Sequence, residues 1–146
     1  MGHIEETKHL AAEPQAVWAV VSDLASWSSW FTVHDKWLEE PPADLVVGTT
    51  LVAKVVMLGM ANKIEWTVRE VEAPSKLVLT GTGLAGVKVE FAFTLTARDG
   101  GSDFHIAGDF EGAMIKGALG KAVEKDAGRQ LEDSVGKLEA LATAGV

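Results

Sequence analysis

Histidines and carboxylates alternate in two short stretches of the sequence. The pattern could hold a metal ion, because imidazole nitrogens and carboxylate oxygens are common zinc ligands. The residues concerned are His3, Glu5, His9, Asp103, His105 and Asp109. In each stretch they share the polar phase of an alternating segment, so their side chains are expected on a sheet face open to water. We therefore predict a solvated surface at these residues and no metal site.

Residues suited to catalysis are few. The chain has no cysteine, and none of its serines lies in a G-x-S-x-G motif. The segments GLAGVKVEF and GALGKAVEK are rich in glycine but lack the spacing of a phosphate-binding loop. Polar residues predicted to face inward are limited to Asn62, with Asp23 and Lys116 near an entrance. General acid–base catalysis needs positioned proton donors and acceptors, so we assign no catalytic residue and no cofactor.

Composition excludes several classes of partner. The chain has 146 residues and a formal net charge of −8. Nucleic-acid binding depends on lysine and arginine that displace counterions, and an anionic membrane surface would repel so acidic a protein. The N-terminus lacks the basic and apolar regions of a signal peptide, and no apolar run is long enough to span a bilayer. We expect a cytoplasmic protein that binds no nucleic acid and inserts into no membrane.

Aromatic residues are concentrated in the segment SDLASWSSWFTVHDKW, residues 22–37. Trp27 is predicted to hold a short helix on the core. Trp30, Phe31 and Trp37 are not all expected to face one small core from a turn and a loop, so one or two of them are predicted to close the mouth of a cavity. His34 would then either form a hydrogen bond with a ligand at this mouth or be solvated.

The hydrophobic periodicity predicts an α+β fold. A strand at 3–12 precedes a helix that begins at Pro14, a second short helical turn begins at Asp23, and a long amphipathic helix covers 114–142. Between these helices the period is two, which predicts strands at 51–57, 63–69, 76–83, 87–96 and 103–111. Each strand has one apolar and one polar face, as in an antiparallel sheet that is wet on one side. The length suits a single domain, residues 1–146.

With this order of elements, the segment EPQAVWAVVSDLASWSSWF resembles the first helix pair of the START-like, or SRPBCC, superfamily. This superfamily includes polyketide cyclases, plant allergens and lipid-transfer domains. One difference is that Phe31 follows Trp30, where the wider family often has a proline. The segments VHDKWLEEPP, VGTTLVAKVVMLGMANKIEWTV and MIKGALGKAVEKDA are most similar to a small actinobacterial subgroup labelled as toxins of toxin–antitoxin pairs.

The resemblance implies a helix-grip fold, in which a curved antiparallel sheet is wrapped around a long C-terminal helix and two short helices follow strand 1. It also implies a cavity between the sheet and that helix. The residues predicted to line this cavity are Trp30, His34, Trp37, Met57, Asn62, Ile64, Trp66, Leu79, Phe91, Phe93, Phe110, Ile115 and Leu119.

Glycines provide a separate argument for a cavity. Gly81, Gly83, Gly108 and Gly112 fall on the inward phase of their strands, where a missing side chain leaves volume for a ligand. The long helix also contains Gly117, Gly120, Gly128 and Gly136, although glycine weakens a helix interior. The alternatives are that the strand glycines mark β-bulges and that the helix glycines allow close packing of the backbone.

Three functions remain open at this point. The first is a carrier or sensor that binds a hydrophobic or amphipathic small molecule, similar to a lipid or a polyketide, in the cavity. The second is the toxin of a toxin–antitoxin pair, which acts through a protein partner. The third is a cyclase or dehydratase that folds a polyketide-like substrate.

Overall fold

A computed structural model gives the structure of the protein. It describes the backbone of residues 2–42, 45–57, 60–83, 86–112 and 117–143, and the side chains of residues 3–42, 45–56, 61–83, 86–112 and 120–143. The strands are β1 (Gly2–Leu10), β2 (His34–Trp37), β3 (Thr50–Met57), β4 (Met60–Glu72), β5 (Lys76–Gly83), β6 (Lys88–Arg98) and β7 (Gly101–Glu111). The helices are α1 (Pro14–Val21), α2 (Trp27–Trp30) and α3 (Gly117–Thr143), with a 3-10 turn at Leu24–Ser26.

The seven strands form one antiparallel sheet in the order β1-β7-β6-β5-β4-β3-β2. The sheet curls into a half-barrel. Helix α3 contacts strands near both edges of this sheet. Near β1, the Lys8 ammonium lies 3.3 Å from the Glu139 carboxylate. Near β3, the Gln130 side-chain amide donates to the Val56 carbonyl at 3.2 Å. The predicted α+β helix-grip fold, with two short helices after the first strand, is confirmed. None of the helices in the described ranges is long and apolar enough to cross a membrane.

The first helix begins and ends where its sequence indicates. Pro14 occupies the first turn, where a missing N–H costs no hydrogen bond. The preceding N-cap residue, Glu13, has an extended backbone conformation. At the other end, the Ser22 hydroxyl donates to the Trp18 carbonyl at 2.7 Å. Val17 and Val21 are the buried residues of this helix. The chain then turns directly into α2, which brings the aromatic segment against the sheet.

Strand β2 is not among the predicted strands, since the sequence indicates a loop at residues 34–37. The strand pairs with β3, with His34 opposite Val55 and Trp37 opposite Ala53. A register shift between His34 and Lys36 interrupts the regular alternation of inner and outer side chains. A four-residue strand with such a shift has no period of two in its sequence, and the prediction of a loop was therefore wrong.

The apolar stripe of α3 is buried as predicted. Its buried members in the described part of the chain are Val123, Ala127, Leu131, Val135, Leu138 and Ala142. They join the inward residues of the sheet in one hydrophobic core. The predicted start of the helix at 114 lies outside the described residues.

Two strand glycines make room for protein side chains. A β-carbon added at Gly108 would lie 2.7 Å from the ring of Phe91, and one added at Gly81 would lie 2.7 Å from Ile64 and 2.8 Å from Trp66. The strand register is continuous through both glycines, so the alternative of a β-bulge is wrong there. Both glycines do withhold volume, as predicted, but neighbouring protein side chains occupy that volume.

Two of the helix glycines do not allow close packing of the backbone. A β-carbon at Gly128 or Gly136 would meet no atom within 4 Å outside its own helical turn. Close helix packing is therefore wrong as an explanation for Gly128 and Gly136. The surroundings of Gly117 lie outside the described side chains.

This contrast gives a test of the packing. We expect Gly108→Ala to destabilise the protein by about 1 to 3 kcal/mol, because the new methyl group would displace the buried ring of Phe91. The matched control Gly136→Ala should stabilise it by up to about 1 kcal/mol, because alanine is the better helix former and has free space there. Urea unfolding measures both changes. Equal stability of Gly108→Ala and the wild type would show that the Phe91 ring is not tightly held.

Candidate ligand-binding site

Aromatic rings from the short helices, β2 and the inner face of the sheet form one group, which we call the aromatic cluster. Its members are Trp27, Trp30, Phe31, His34, Trp37, Trp66, Phe91 and Phe93. Trp27 is the central ring, with centroid distances of 5.5 Å to Phe31, 5.3 Å to Trp37 and 6.1 Å to Phe93. The predicted core role of Trp27 is confirmed, since its side chain is completely buried.

Backbone carbonyls fix two of the indole rings. The Trp27 indole N–H donates to the Val21 carbonyl at 2.8 Å, and the Trp37 indole N–H donates to the Leu24 carbonyl at 2.7 Å. The first bond ties α2 to the end of α1, and the second ties β2 to the 3-10 turn. The cluster is therefore held by the local backbone as well as by packing.

A hydrogen-bonded link joins the aromatic segment to α3. The Thr32 hydroxyl donates to the Gln130 carbonyl at 2.9 Å, and the Thr32 backbone N–H donates to the Ser134 hydroxyl, also at 2.9 Å. Ser134 is fully buried and itself donates to the Gln130 carbonyl at 2.7 Å. The segment between α2 and β2 is thus fixed against the middle of the long helix.

Three other rings of the cluster carry buried polar atoms that have no hydrogen-bond partner among the described residues. They are the indole nitrogens of Trp30 and Trp66 and both ring nitrogens of His34. The exposed fractions of these residues are only 1%, 1% and 3%, respectively. A buried polar group without a partner costs about 1 to 3 kcal/mol, and folded proteins leave few such groups. Four of them in one cluster call for an explanation.

His34 is a neutral imidazole at physiological pH. Burial lowers its pKa from the ordinary value of 6.5 to about 4, against the opposing charge of Asp35. Its ring packs 4.4 Å from that of Trp37 and 6.0 Å from that of Trp27, measured between centroids. The alternative of a solvated loop histidine is therefore wrong.

A continuous path of rings connects Trp30 to Trp66. Trp30 lies 5.4 Å from Phe31, Phe31 lies 5.5 Å from Phe91, and Phe91 lies 5.7 Å from Trp66, between centroids. Phe31 was absent from the predicted lining, although it is the ring that joins the two ends of this path. Its position next to Trp30 in the sequence was the only available signal.

The three residues from which one or two were expected to close a cavity mouth differ in burial. Trp30 and Phe31 are buried in the core, which leaves Trp37 as the candidate. Both reach the core because α2 lies directly against the sheet, where its rings contact Phe93. Trp37 is half-buried against the same core.

The other predicted lining residues fall into three groups. Ile64, Leu79, Phe91, Phe93 and Phe110 are buried on the inner side of the sheet, as predicted. Asn62 shares the register of Ile64 but is exposed, because it lies near the end of β4 that leads back to β3. The side chains of Met57, Ile115 and Leu119 lie outside the described residues.

The buried polar residues in the described part of the chain are His34, Ser102 and Ser134, and none carries a charge at neutral pH. Ser102 donates to the Ala12 carbonyl at 2.5 Å, and Ser134 is bonded as described above. The described interior therefore contains no carboxylate or ammonium group that could take part in acid–base chemistry.

The histidines on the outer face are paired with neighbouring polar residues. His3 lies 2.6 Å from Asp109, His9 lies 2.9 Å from Asp103, and His105 lies 2.6 Å from the Thr7 hydroxyl. The hydrogen bond with Asp109 raises the pKa of His3. No group of three or more potential ligands in the described ranges could hold a metal ion.

Two clefts lie on the surface. One, of about 690 Å³, is bounded by the start of α1, the β4–β5 turn and the β6–β7 turn. The other, of about 490 Å³, is bounded by residues of β4, β5, β6 and β7, including Arg69, Thr80 and Glu90. Neither is lined by a member of the aromatic cluster, and Phe110 is the one predicted lining residue that borders either of them, at the second.

Comparison with known proteins identifies relatives of the whole chain. The sequence model of a family described as "Polyketide cyclase / dehydrase and lipid transport" matches residues 1–143. The uncharacterized protein Rv1546 of Mycobacterium tuberculosis is 28% identical over 135 residues, which cover 92% of this chain and 94% of the relative. Toxin Rv0910 of the same organism is 33% identical over 99 residues, 65% of this chain and 69% of the relative.

The fold also has close structural counterparts. A START superfamily protein from Mycobacterium smegmatis superposes with a TM-score of 0.79, covers 99% of each chain and is 18% identical. At this level of identity the likeness concerns the fold alone.

The depressed pKa of His34 predicts an acid-sensitive fold. The neutral ring is favoured in the folded state, so stability is complete above pH 6.5 and falls as the pH is lowered towards 4. We expect this histidine to contribute a loss of about 3 kcal/mol over that interval. Between pH 7 and 4, the unfolding free energy of His34→Phe should therefore fall by about 3 kcal/mol less than that of the wild type.

Trp37→Phe is the matched control, because it disturbs the same cluster without removing a titrating group. Its unfolding free energy should be lower by a similar amount at every pH. An equal loss of stability in His34→Phe and the wild type between pH 7 and 4 would show that His34 is not the source of the acid sensitivity.

Proposed function

Because the chain belongs to the polyketide cyclase, dehydrase and lipid transport family, we propose that it binds an apolar or amphipathic small molecule between its sheet and α3, as a carrier or sensor. Ligand sites of this kind are mostly apolar, with a few polar groups that orient the ligand. The aromatic cluster has this composition. Its apolar rings surround the polar atoms of Trp30, His34 and Trp66.

The observation that carries the proposal is the set of buried polar atoms without partners. A core that served stability alone would satisfy or omit such atoms. In the same cluster, Trp27 and Trp37 have carbonyl partners. Trp30, His34 and Trp66 are buried and lack such partners, as expected of groups whose partner is a ligand. The proposal therefore concerns the interior and neither surface cleft.

Binding is favoured over catalysis as the role of this site. The proton-transfer groups of most enzymes are carboxylates, histidines or lysines, and His34 is the one buried ionisable residue in the described ranges. A cyclase or dehydratase would have to act mainly by holding its substrate in a folded shape.

A second candidate is a toxin that acts through a protein partner. It is supported by the similarity to Toxin Rv0910 and by an apolar surface on the β2–β3 connection. Leu38, Val46 and Val47 are 43%, 58% and 65% exposed there. Glu39 and Glu40 lie beside them and are exposed. This surface suits a partner segment that combines apolar and basic residues, as an antitoxin could provide.

The second candidate can be tested by controlled expression in a bacterial host. Expression of the wild type should slow growth, and the double variant Val46→Asp, Val47→Asp should not, because charged residues would disrupt apolar docking. Ligand binding in the interior should be the same in both proteins. Normal growth with the wild type, or equal inhibition by the double variant, would rule out this surface as the toxic one.

The binding proposal predicts saturable uptake of an uncharged, fluorescent, apolar dye. Nile red should bind with a stoichiometry of one molecule per chain, with an increase in its emission. At a free concentration of 100 times its Kd it should raise stability by about 2.7 kcal/mol, because it binds only the folded state. Fluorescence titration and thermal unfolding measure the two effects.

Organic extraction of the purified protein, followed by mass spectrometry, should release any bound compound. If no compound is released, the site is empty and available to the dye. Emission that rises without saturation, together with an unchanged Tm and no extracted compound, would contradict the proposal.

A further inference from the structure

The unpartnered atoms have a defined hydrogen-bonding character. An indole nitrogen can only donate, so Trp30 and Trp66 each require an acceptor. Neutral His34 donates from one ring nitrogen and accepts at the other. The cluster therefore presents three donors and a single acceptor. A ligand that satisfies them must carry more acceptor oxygens than donor groups.

The charge of the ligand is limited by its surroundings. The described lysines and arginines are not buried. The two that are only half-exposed, Lys54 and Lys76, are paired with Asp35 at 3.4 Å and Glu70 at 3.1 Å. A carboxylate placed among the rings would lose its hydration without gaining a cationic partner at neutral pH, because burial also keeps His34 neutral, and this is strongly unfavourable.

A cationic ligand is also disfavoured. Aromatic faces can attract a cation, but an ammonium group has no lone pair to accept hydrogen bonds from Trp30 and Trp66. Those two N–H groups would stay unsatisfied, and the free-energy cost of burying them would remain.

From these constraints we infer that the ligand is an uncharged molecule with carbonyl, ether or hydroxyl oxygens, which accept hydrogen bonds from Trp30, Trp66 and His34. This inference rests on the proposed function and narrows it. The site discriminates against plain hydrocarbons, which leave the donors unsatisfied, and against carboxylates such as fatty acids, which lack a counter-charge. Its selectivity comes from three residues that are far apart in the sequence.

The test compares three probes of similar shape that differ in one substituent. Acetylnaphthalene offers a neutral carbonyl acceptor, ethylnaphthalene offers none, and naphthoate carries a negative charge. At pH 7 we expect acetylnaphthalene to bind the wild type about tenfold more tightly than ethylnaphthalene, the effect of one net hydrogen bond to a buried donor. Naphthoate should bind most weakly. Affinities are measured by competition with Nile red.

Three variants assign the preference to individual groups. Trp30→Phe, Trp66→Phe and His34→Phe each remove a donor while keeping an aromatic ring. We expect at least one of them to bring the ketone-to-hydrocarbon ratio close to unity. Trp18→Phe is the matched control, because it shortens an indole of α1 that makes no ring contact with the aromatic cluster among the described residues. It should keep the tenfold ratio.

Each outcome decides the inference. A tenfold ketone preference that is lost in a cluster variant and kept in Trp18→Phe supports it. Equal binding of ketone and hydrocarbon by the wild type, tightest binding of naphthoate, or a preference unchanged in all three cluster variants would overturn it while the proposed function stands. No saturable binding of Nile red or of any probe would overturn both. The wild-type comparison decides the matter even where a variant fails to fold.

Discussion

The hydrogen bond from the Trp27 indole to the Val21 carbonyl, 2.8 Å long, is the interaction on which the rest of the site depends. It turns the chain from α1 into α2 and places the Trp27 ring at the centre of the aromatic cluster. Five rings, from α2, the residue that follows it, β2 and β6, pack around it. Thr32 then fixes the following backbone to α3 through Ser134 and Gln130. Sheet, short helices and long helix therefore meet at one buried indole.

The tryptophans of the cluster divide into two kinds. Trp27 and Trp37 have carbonyl partners and connect elements of the fold, so they contribute to stability. Trp30 and Trp66 are as buried as Trp27 but have no such partners in the described part of the chain. His34 belongs with the second kind, since burial keeps it neutral and neither of its nitrogens is bonded. The core thus contains a few buried polar groups that would gain hydrogen bonds when a suitable ligand binds.

Much of the fold followed from the sequence, because strand and helix periods are local properties. The alternation at 87–96 and the stripe from Val123 to Ala142 were sufficient to predict a sheet covered by a long helix. Strand β2 was missed because four residues with a register shift show no period. The burial of Trp30, Phe31 and His34 depends on how α2 and β2 meet the sheet, and no local pattern encodes that. The role of Gly108, which accommodates the Phe91 ring, depends on a neighbouring strand in the same way.

The most direct test of the account observes the indole N–H groups themselves. In ¹⁵N-labelled protein, the ¹H–¹⁵N resonances of Trp27 and Trp37 report indole N–H groups that are already hydrogen-bonded. Those of Trp30 and Trp66 report indole N–H groups that have no acceptor. Saturation with an uncharged carbonyl ligand should move the Trp30 and Trp66 proton resonances downfield, as a new hydrogen bond does, and leave those of Trp27 and Trp37 nearly in place. If the ligand binds but the Trp30 and Trp66 resonances do not move, or if all the indole resonances move alike, these groups do not hold the ligand and the account is contradicted.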